Sequence, residues 1–198
     1  MTRHTTAKLT AAEALPGRSE RTFTVPERHA VLGTPLLGPY PEGLETAEFG
    51  VDCYWSGERA FWSAPGVWTT VAGYQGGVTP NPTPGEVLTD RTGHTEAVRV
   101  VFDPRVTSYE AMLAIFWERH DPTRPFGPNS QARSVIFTQG PAQDEAARAL
   151  LAEEQRLLTH LRNNAAITTE IVAAREYPFY PADAYNQQYL AGGSGRAG

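Results

Sequence analysis

A two-layer α+β domain is what this sequence predicts, on three observations. Strand-type and helix-type runs alternate along most of the chain. Turn residues separate them, at Pro65-Gly66, Asp103-Pro104 and His120-Asp121-Pro122. The 198 residues are 40% hydrophobic and 20% charged, which suits one ordinary globular core. The order of the runs is β-α-β-β-α-β, followed by a further α-β. That is the split βαβ, or ferredoxin-like, arrangement with N- and C-terminal extensions.

Residues 1–43 are rich in Pro, Gly and Thr without sustained periodicity. They read as an arm lying over the domain, docked through Phe23, Val31, Leu36 and Leu37. The domain itself is expected over 44–190, with a flexible tail at 191–198. Residues 44–51 form the first expected strand and 56–64 the first helix, stopped by Pro65-Gly66. The β-branched and aromatic run 67–74 is a strand. From Gln75 to Gly93 the chain is dense in Gly, Pro and Asn and reads as a long, stiff loop, since each Pro fixes φ and restrains its predecessor. Residues 96–102 alternate as a strand. Thr107 and Glu110 then have capping-box spacing and open a helix whose face carries Met112, Ile115 and Phe116. A short strand at 133–138 follows. The helix beginning at Pro141 runs to about Arg162, with Ala146, Leu150, Leu157, Leu158 and Leu161 as its apolar positions. A last strand is expected at 167–173.

Charge and composition exclude several functions. A net charge of −5 argues against nonspecific nucleic-acid binding, which needs a basic footprint. No apolar run is long enough to span a bilayer, and none near Met1 has the form of a signal peptide. The single cysteine cannot form an internal disulfide, which points to a reduced, cytoplasmic setting. The five His are scattered, with no H-x-x-x-H and no second Cys, so no metal site is expected.

The chemistry centres on Cys53, where the first strand gives way to the first helix. Backbone N–H groups and the helix dipole there favour a thiolate. A free cysteine can equally be a small buried hydrophobe. Asp52, directly before it, raises the thiol pKa. Tyr54 and Trp55 provide an apolar wall. Two glycine-punctuated clusters, around Tyr74 and around His94 and Glu96, could converge on the sulfur. Glu96 is either an exposed strand-end carboxylate or, held in an apolar pocket, a protonated acid. His94 is a loop hydrogen-bonder or the base a nucleophilic cysteine would need.

Read together, the motifs resemble a known family. DCYW at 52–55, ERAFWSAPGV at 58–67, AGYQGGVTPNPT at 72–83, GHTEAVRVVFDP at 93–104, FWERHDPT at 116–123 and FYPADAYNQQYL at 179–190 follow, in order, the pattern of the A-type peptide methionine sulfoxide reductases. The resemblance covers nearly the whole chain. It implies that Cys53 attacks the sulfoxide sulfur of the S epimer, giving a sulfenic acid and a thioether. It also implies that Tyr54 and Trp55 embrace the methyl group, and that Glu96 and Tyr74 hold and protonate the departing oxygen.

The departures are specific. The family motif G-C-F-W-G here reads Asp52-Cys53-Tyr54-Trp55-Ser56, and D-x-G-T-Q-Y-R-S has become 127–134, with Gly127 for the acid and Ala132 for a second oxygen-binding Tyr. The usual His before Gln is Asn186. The Gly-rich end carries no resolving cysteine. Asp52, His94 and Ala132 are therefore expected to modulate the site. The resemblance implies no bound cofactor and an external thiol reductant, such as thioredoxin, glutaredoxin or a small thiol, acting on a monomer. Two other readings remain open: a reductase-like enzyme repurposed for another small molecule, and a non-catalytic protein that binds methionine or its sulfoxide.

Overall fold

In the computed structural model, which describes residues 7–161 and 165–192, the elements run β1 (Glu45–Val51), α1 (Tyr54–Trp62), β2 (Val67–Gln75), α2 (Pro84–Val87), β3 (Thr95–Phe102), α3 (Tyr109–Arg119), β4 (Ser134–Thr138), α4 (Pro141–Leu161), β5 (Glu170–Ala173) and β6 (Tyr180–Pro181). Most of the expected tail, and Arg162 at the expected end of the long helix, lie outside the described residues. The sheet order is β5-β4-β1-β3-β2-β6. Its central four strands, β4-β1-β3-β2, are antiparallel throughout and form the ferredoxin-like core. β5 adds a parallel edge beside β4, and β6 a two-residue edge beside β2.

The period of two on β1 decides which face is the core. Ala47, Phe49 and Val51 are buried in one cluster with residues of α1 and α3. Phe49 stacks on Phe61 at 5.2 Å and on Phe116 at 5.3 Å. Offset aromatic contacts of this kind stabilise a core beyond their area burial. On the opposite face Glu48 is buried as well, but its carboxylate is satisfied by Arg99 at 2.7 Å, Gln75 at 2.8 Å and Gln139 at 2.9 Å. An open groove of about 570 Å³ lies there, lined in part by Glu48, Gln75, Arg99 and Phe179. Its charged floor is already paired, and it lies on the far face from Cys53.

Several expectations need correction. The stretch between Gln75 and Gly93 holds a short helix, α2, because Thr83 and Glu86 form a capping box with Pro84 at the first helical position. The N-cap of α3 is Ser108, whose hydroxyl accepts from the Ala111 N–H, and not Thr107. Leu157 and Leu161 are exposed, so the second half of α4 packs less than its sequence pattern implied. Val31 is half exposed, while Leu36 is fully buried.

His29 is the anchor that apolar patterning missed in the N-terminal stretch. Its Nε2 lies 2.8 Å from Thr70 Oγ1, and burial lowers its pKa to about 4, so it is held neutral. The same stretch clamps the loop that carries α2. Arg18 forms a two-pronged pair with Glu86 at 2.9 and 2.6 Å, and the Leu15 N–H donates to Arg91 O at 2.9 Å. Gly17 makes the close approach possible: at φ +65 a Cβ would stand 2.3 Å from Pro80 O. Among the described residues no helix is long and apolar enough to cross a membrane.

Candidate active site

Cys53 is the N-cap residue of α1, extended at φ −105 and ψ 113, and its side chain makes no capping hydrogen bond. It is exposed. The protein behind it still desolvates the sulfur, which raises the thiol pKa. The Trp55 and Ser56 N–H groups oppose that rise, while the carboxylates of Glu96 and Asp52 add to it. The thiol is therefore mostly protonated near neutral pH.

The preceding residue explains the local geometry. Asp52 has φ 67, in the left-handed region where glycine is at ease and Asp is one of the few tolerated substitutes. Its carboxylate pairs with Arg124 at 2.6 Å. Both partners are partly exposed, so the pair is worth only about 0–1 kcal/mol. Asp52→Gly is expected to lower the Cys53 pKa and raise its alkylation rate at pH 7 by about two- to threefold, since a unit of pKa is tenfold in thiolate. The check is the pH dependence of iodoacetamide labelling. An unchanged profile would mean that Arg124 already neutralises Asp52.

Glu96 sits at the start of β3, where its N–H donates to Gln131 O at 2.7 Å. Its Oε2 accepts the Tyr54 N–H at 3.0 Å, which ties the carboxyl to the first residue of α1. Burial raises its pKa to about 7, against the effect of that N–H and with a contribution from Asp52. Tyr74, on β2, is 1% exposed, and its hydroxyl lies 3.1 Å from that of Tyr54. Burial holds both phenols neutral, far above their ordinary pKa. Trp55 donates its Nε1–H to Asn186 Oδ1 at 3.0 Å and stacks on Tyr189 at 3.6 Å and 9°.

Tyr54, Trp55, Tyr74 and Glu96 thus line one cavity of about 370 Å³, which Gln131, Asp183 and Tyr185 help to close. Its lining does not include Cys53, which stands one residue before Tyr54 and open to solvent. His94 is not brought there either. Its Nε2 donates to Thr79 O at 2.8 Å and its Nδ1 accepts the Gly77 N–H at 3.1 Å, so both nitrogens brace the loop. Burial lowers its pKa to about 4. Ala132 is outside the lining, which Gln131 provides instead, and Gly127 faces open space. Among the described residues no group of three or more His, Cys, Asp or Glu could hold a metal ion.

Sequence reasoning passed over Gln131, Asp183, Tyr189 and Glu58. Glu58 is fully buried and accepts from the Gln188 N–H at 2.7 Å and from Gln188 Nε2 at 2.6 Å, fastening the C-terminal segment to α1. The one available signal was a carboxylate on the apolar side of a short helix.

A six-stranded α+β fold of this kind, with the relatives it has, defines an oxidoreductase. The family described as "Peptide methionine sulfoxide reductase" matches residues 45–196, and the chain belongs to that family. A relative from Streptomyces griseus named peptide methionine sulfoxide reductase MsrA is 55% identical over 185 residues, covering 91% of this chain and 83% of its own length. One of the same name from Pseudomonas aeruginosa is 49% identical over 186 residues, covering 92% and 85%. Among solved structures, methionine sulfoxide reductase A of Corynebacterium diphtheriae superposes with a TM-score of 0.83 at 38% identity, over 93% of this chain and 90% of that one.

Proposed function

We propose that this protein reduces the S epimer of methionine sulfoxide, free or in peptides, with Cys53 as the nucleophile. The observation that carries the reading is the Glu96 carboxyl, raised to about 7 and tied to the Tyr54 N–H one residue from the sulfur. A sulfoxide oxygen leaves only when protonated, so a nucleophile needs an acid of this kind beside it. The Cys53 thiolate attacks the sulfoxide sulfur, Glu96 protonates the oxygen, and the S–O bond breaks. Attack has joined the two sulfurs, and the protonated oxygen leaves as hydroxide. That hydroxide then bonds to the Cys53 sulfur as the S–S bond breaks. Methionine departs as a thioether with the electron pair, and Cys53 becomes a sulfenic acid. Tyr54 and Trp55 enclose the methyl group, and Tyr74 holds the oxygen.

One cysteine cannot resolve its own sulfenic acid. An external thiol therefore condenses with it, releasing water, and a second thiol frees Cys53 as the disulfide forms. The reductant is thioredoxin, glutaredoxin or a low-molecular-weight thiol, in a monomer working in the cytoplasm. Residues 44–190 are the catalytic unit, with 1–43 as an arm over it.

The test uses no reductant. One equivalent of methionine-S-sulfoxide is expected to add a single oxygen to the protein, trappable by dimedone at Cys53, and the R epimer to add none. Oxygen appearing equally with both epimers, or with neither, would overturn the reading.

A further inference from the structure

Tyr54 carries a hydroxyl that packing against a methyl group does not need, in a position where the family motif has Phe. That hydroxyl lies 3.1 Å from Tyr74 Oη, with ring centroids 5.8 Å apart and tilted by 43°. Tyr54 is 4% exposed and Tyr74 1%, and both line the cavity beside Glu96. Two phenols hold two protons, and only one can lie between the oxygens. The other is directed away from the pair, and a buried donor left without an acceptor is costly. Among the described residues neither hydroxyl has another hydrogen-bond partner, and the cavity is what both rings face.

We infer that Tyr54 is a positioning residue: its hydroxyl donates to Tyr74 Oη and so commits the Tyr74 proton to the oxygen of the bound substrate. This rests on the sulfoxide-reductase reading. A phenol that accepts one hydrogen bond becomes a stronger donor of its own, more so in a site of low dielectric. Because Ala132 offers no phenol, the Tyr54 hydroxyl is the second one in this oxygen site. Tyr54 then serves twice, with its backbone N–H holding the acid and its side chain aiming the donor.

The experiment is a double-mutant cycle on methionine-S-sulfoxide with dithiothreitol, using wild type, Tyr54→Phe, Tyr74→Phe and the double variant. Tyr54→Phe is expected to lower kcat about 10-fold with KM little changed, as for a group whose contribution appears in the transition state. In the Tyr74→Phe background the same change is expected to cost less than about twofold, because the phenol it acts through is gone. Tyr54→Phe with wild-type kcat would overturn the inference while leaving the reductase reading intact. An equal loss in both backgrounds would also overturn it, since that is what general damage to the fold produces. A wild-type protein without turnover would overturn the reductase reading, and this inference with it.

Discussion

Replacing Cys53 with Ser is expected to abolish sulfoxide reduction, by at least about 10⁴-fold, while leaving the protein as stable as before or slightly more so. The first half follows from chemistry. A serine alcohol is scarcely ionised near neutral pH and is a poor nucleophile toward sulfur, and it cannot carry the oxygen away as a reducible sulfenic acid. The second half follows from position. Cys53 is the N-cap of α1, where Ser and Asp are the preferred residues because they accept a helix N–H. Cys53 makes no full capping hydrogen bond, only a weak contact of its sulfur with the Trp55 and Ser56 N–H groups, so a Ser hydroxyl there could add a cap worth about 1 kcal/mol. A residue kept at an N-cap without capping it serves something other than the helix. Steady-state assays with dithiothreitol and a thermal melt of both proteins check the two halves together. A Cys53→Ser variant that still turns over would remove every covalent mechanism proposed above.

Glu96→Gln should be the next most damaging change, lowering kcat by about 10²–10³-fold, and its pH profile is the more telling measurement. The reactive form pairs a protonated Glu96 with an ionised Cys53. Glu96 titrates at about 7 and the Cys53 thiol above its ordinary value, so that form is a minor species at every pH. The wild-type profile is then a bell, rising through about 7 and falling through the raised thiol pKa. Without the carboxyl only the thiol titrates, so the variant should rise to the thiol pKa and stay level. A bell retained in Glu96→Gln would show that some other group supplies the proton.

Stability should move the opposite way. The folded-state pKa of Glu96 is above its unfolded value, so the native state holds a proton that the unfolded chain releases. Any stability this contributes is present below about 4.5 and is lost as pH rises through 7. Above pH 7 the Gln variant is accordingly expected to melt higher than wild type. Glu58, also raised to about 7 by burial, has the same sign. His29 and His94, lowered to about 4, have the opposite one: they are lost on acidification through the interval between 6.5 and 4.

The central four strands, α1 and α3 were legible because each buries one face and repeats with a period of two or about 3.6. The expected ends moved by a residue or two, as with Ser108 in place of Thr107. α2 was hidden by its composition. Proline reads as a break, yet at the first position of a helix it is an aid, and Thr83-x-x-Glu86 carried the signal beside it. The motif residues could be named from the chain, since they sit in compact local patterns. What could not be read were the partners. Asp52 meets Arg124 from 72 residues away, and Trp55 meets Asn186 across 131. The Tyr54 and Tyr74 hydroxyls meet because α1 crosses over β2, and no spacing along the chain encodes a 3.1 Å contact between side chains.

The left-handed backbone at Asp52 also limits how this site can vary. A position held at φ 67 accepts Gly, Asn and Asp with little strain, and resists nearly everything else. Glu, Lys and the β-branched residues would have to distort the turn that delivers the sulfur. The turn therefore admits a short alphabet beside the nucleophile, graded in charge and polarity but nearly constant in shape. Lineages could step between its letters and tune the acidity of the thiol without remodelling the fold. The aspartate in this chain is the one charged setting that such an alphabet contains.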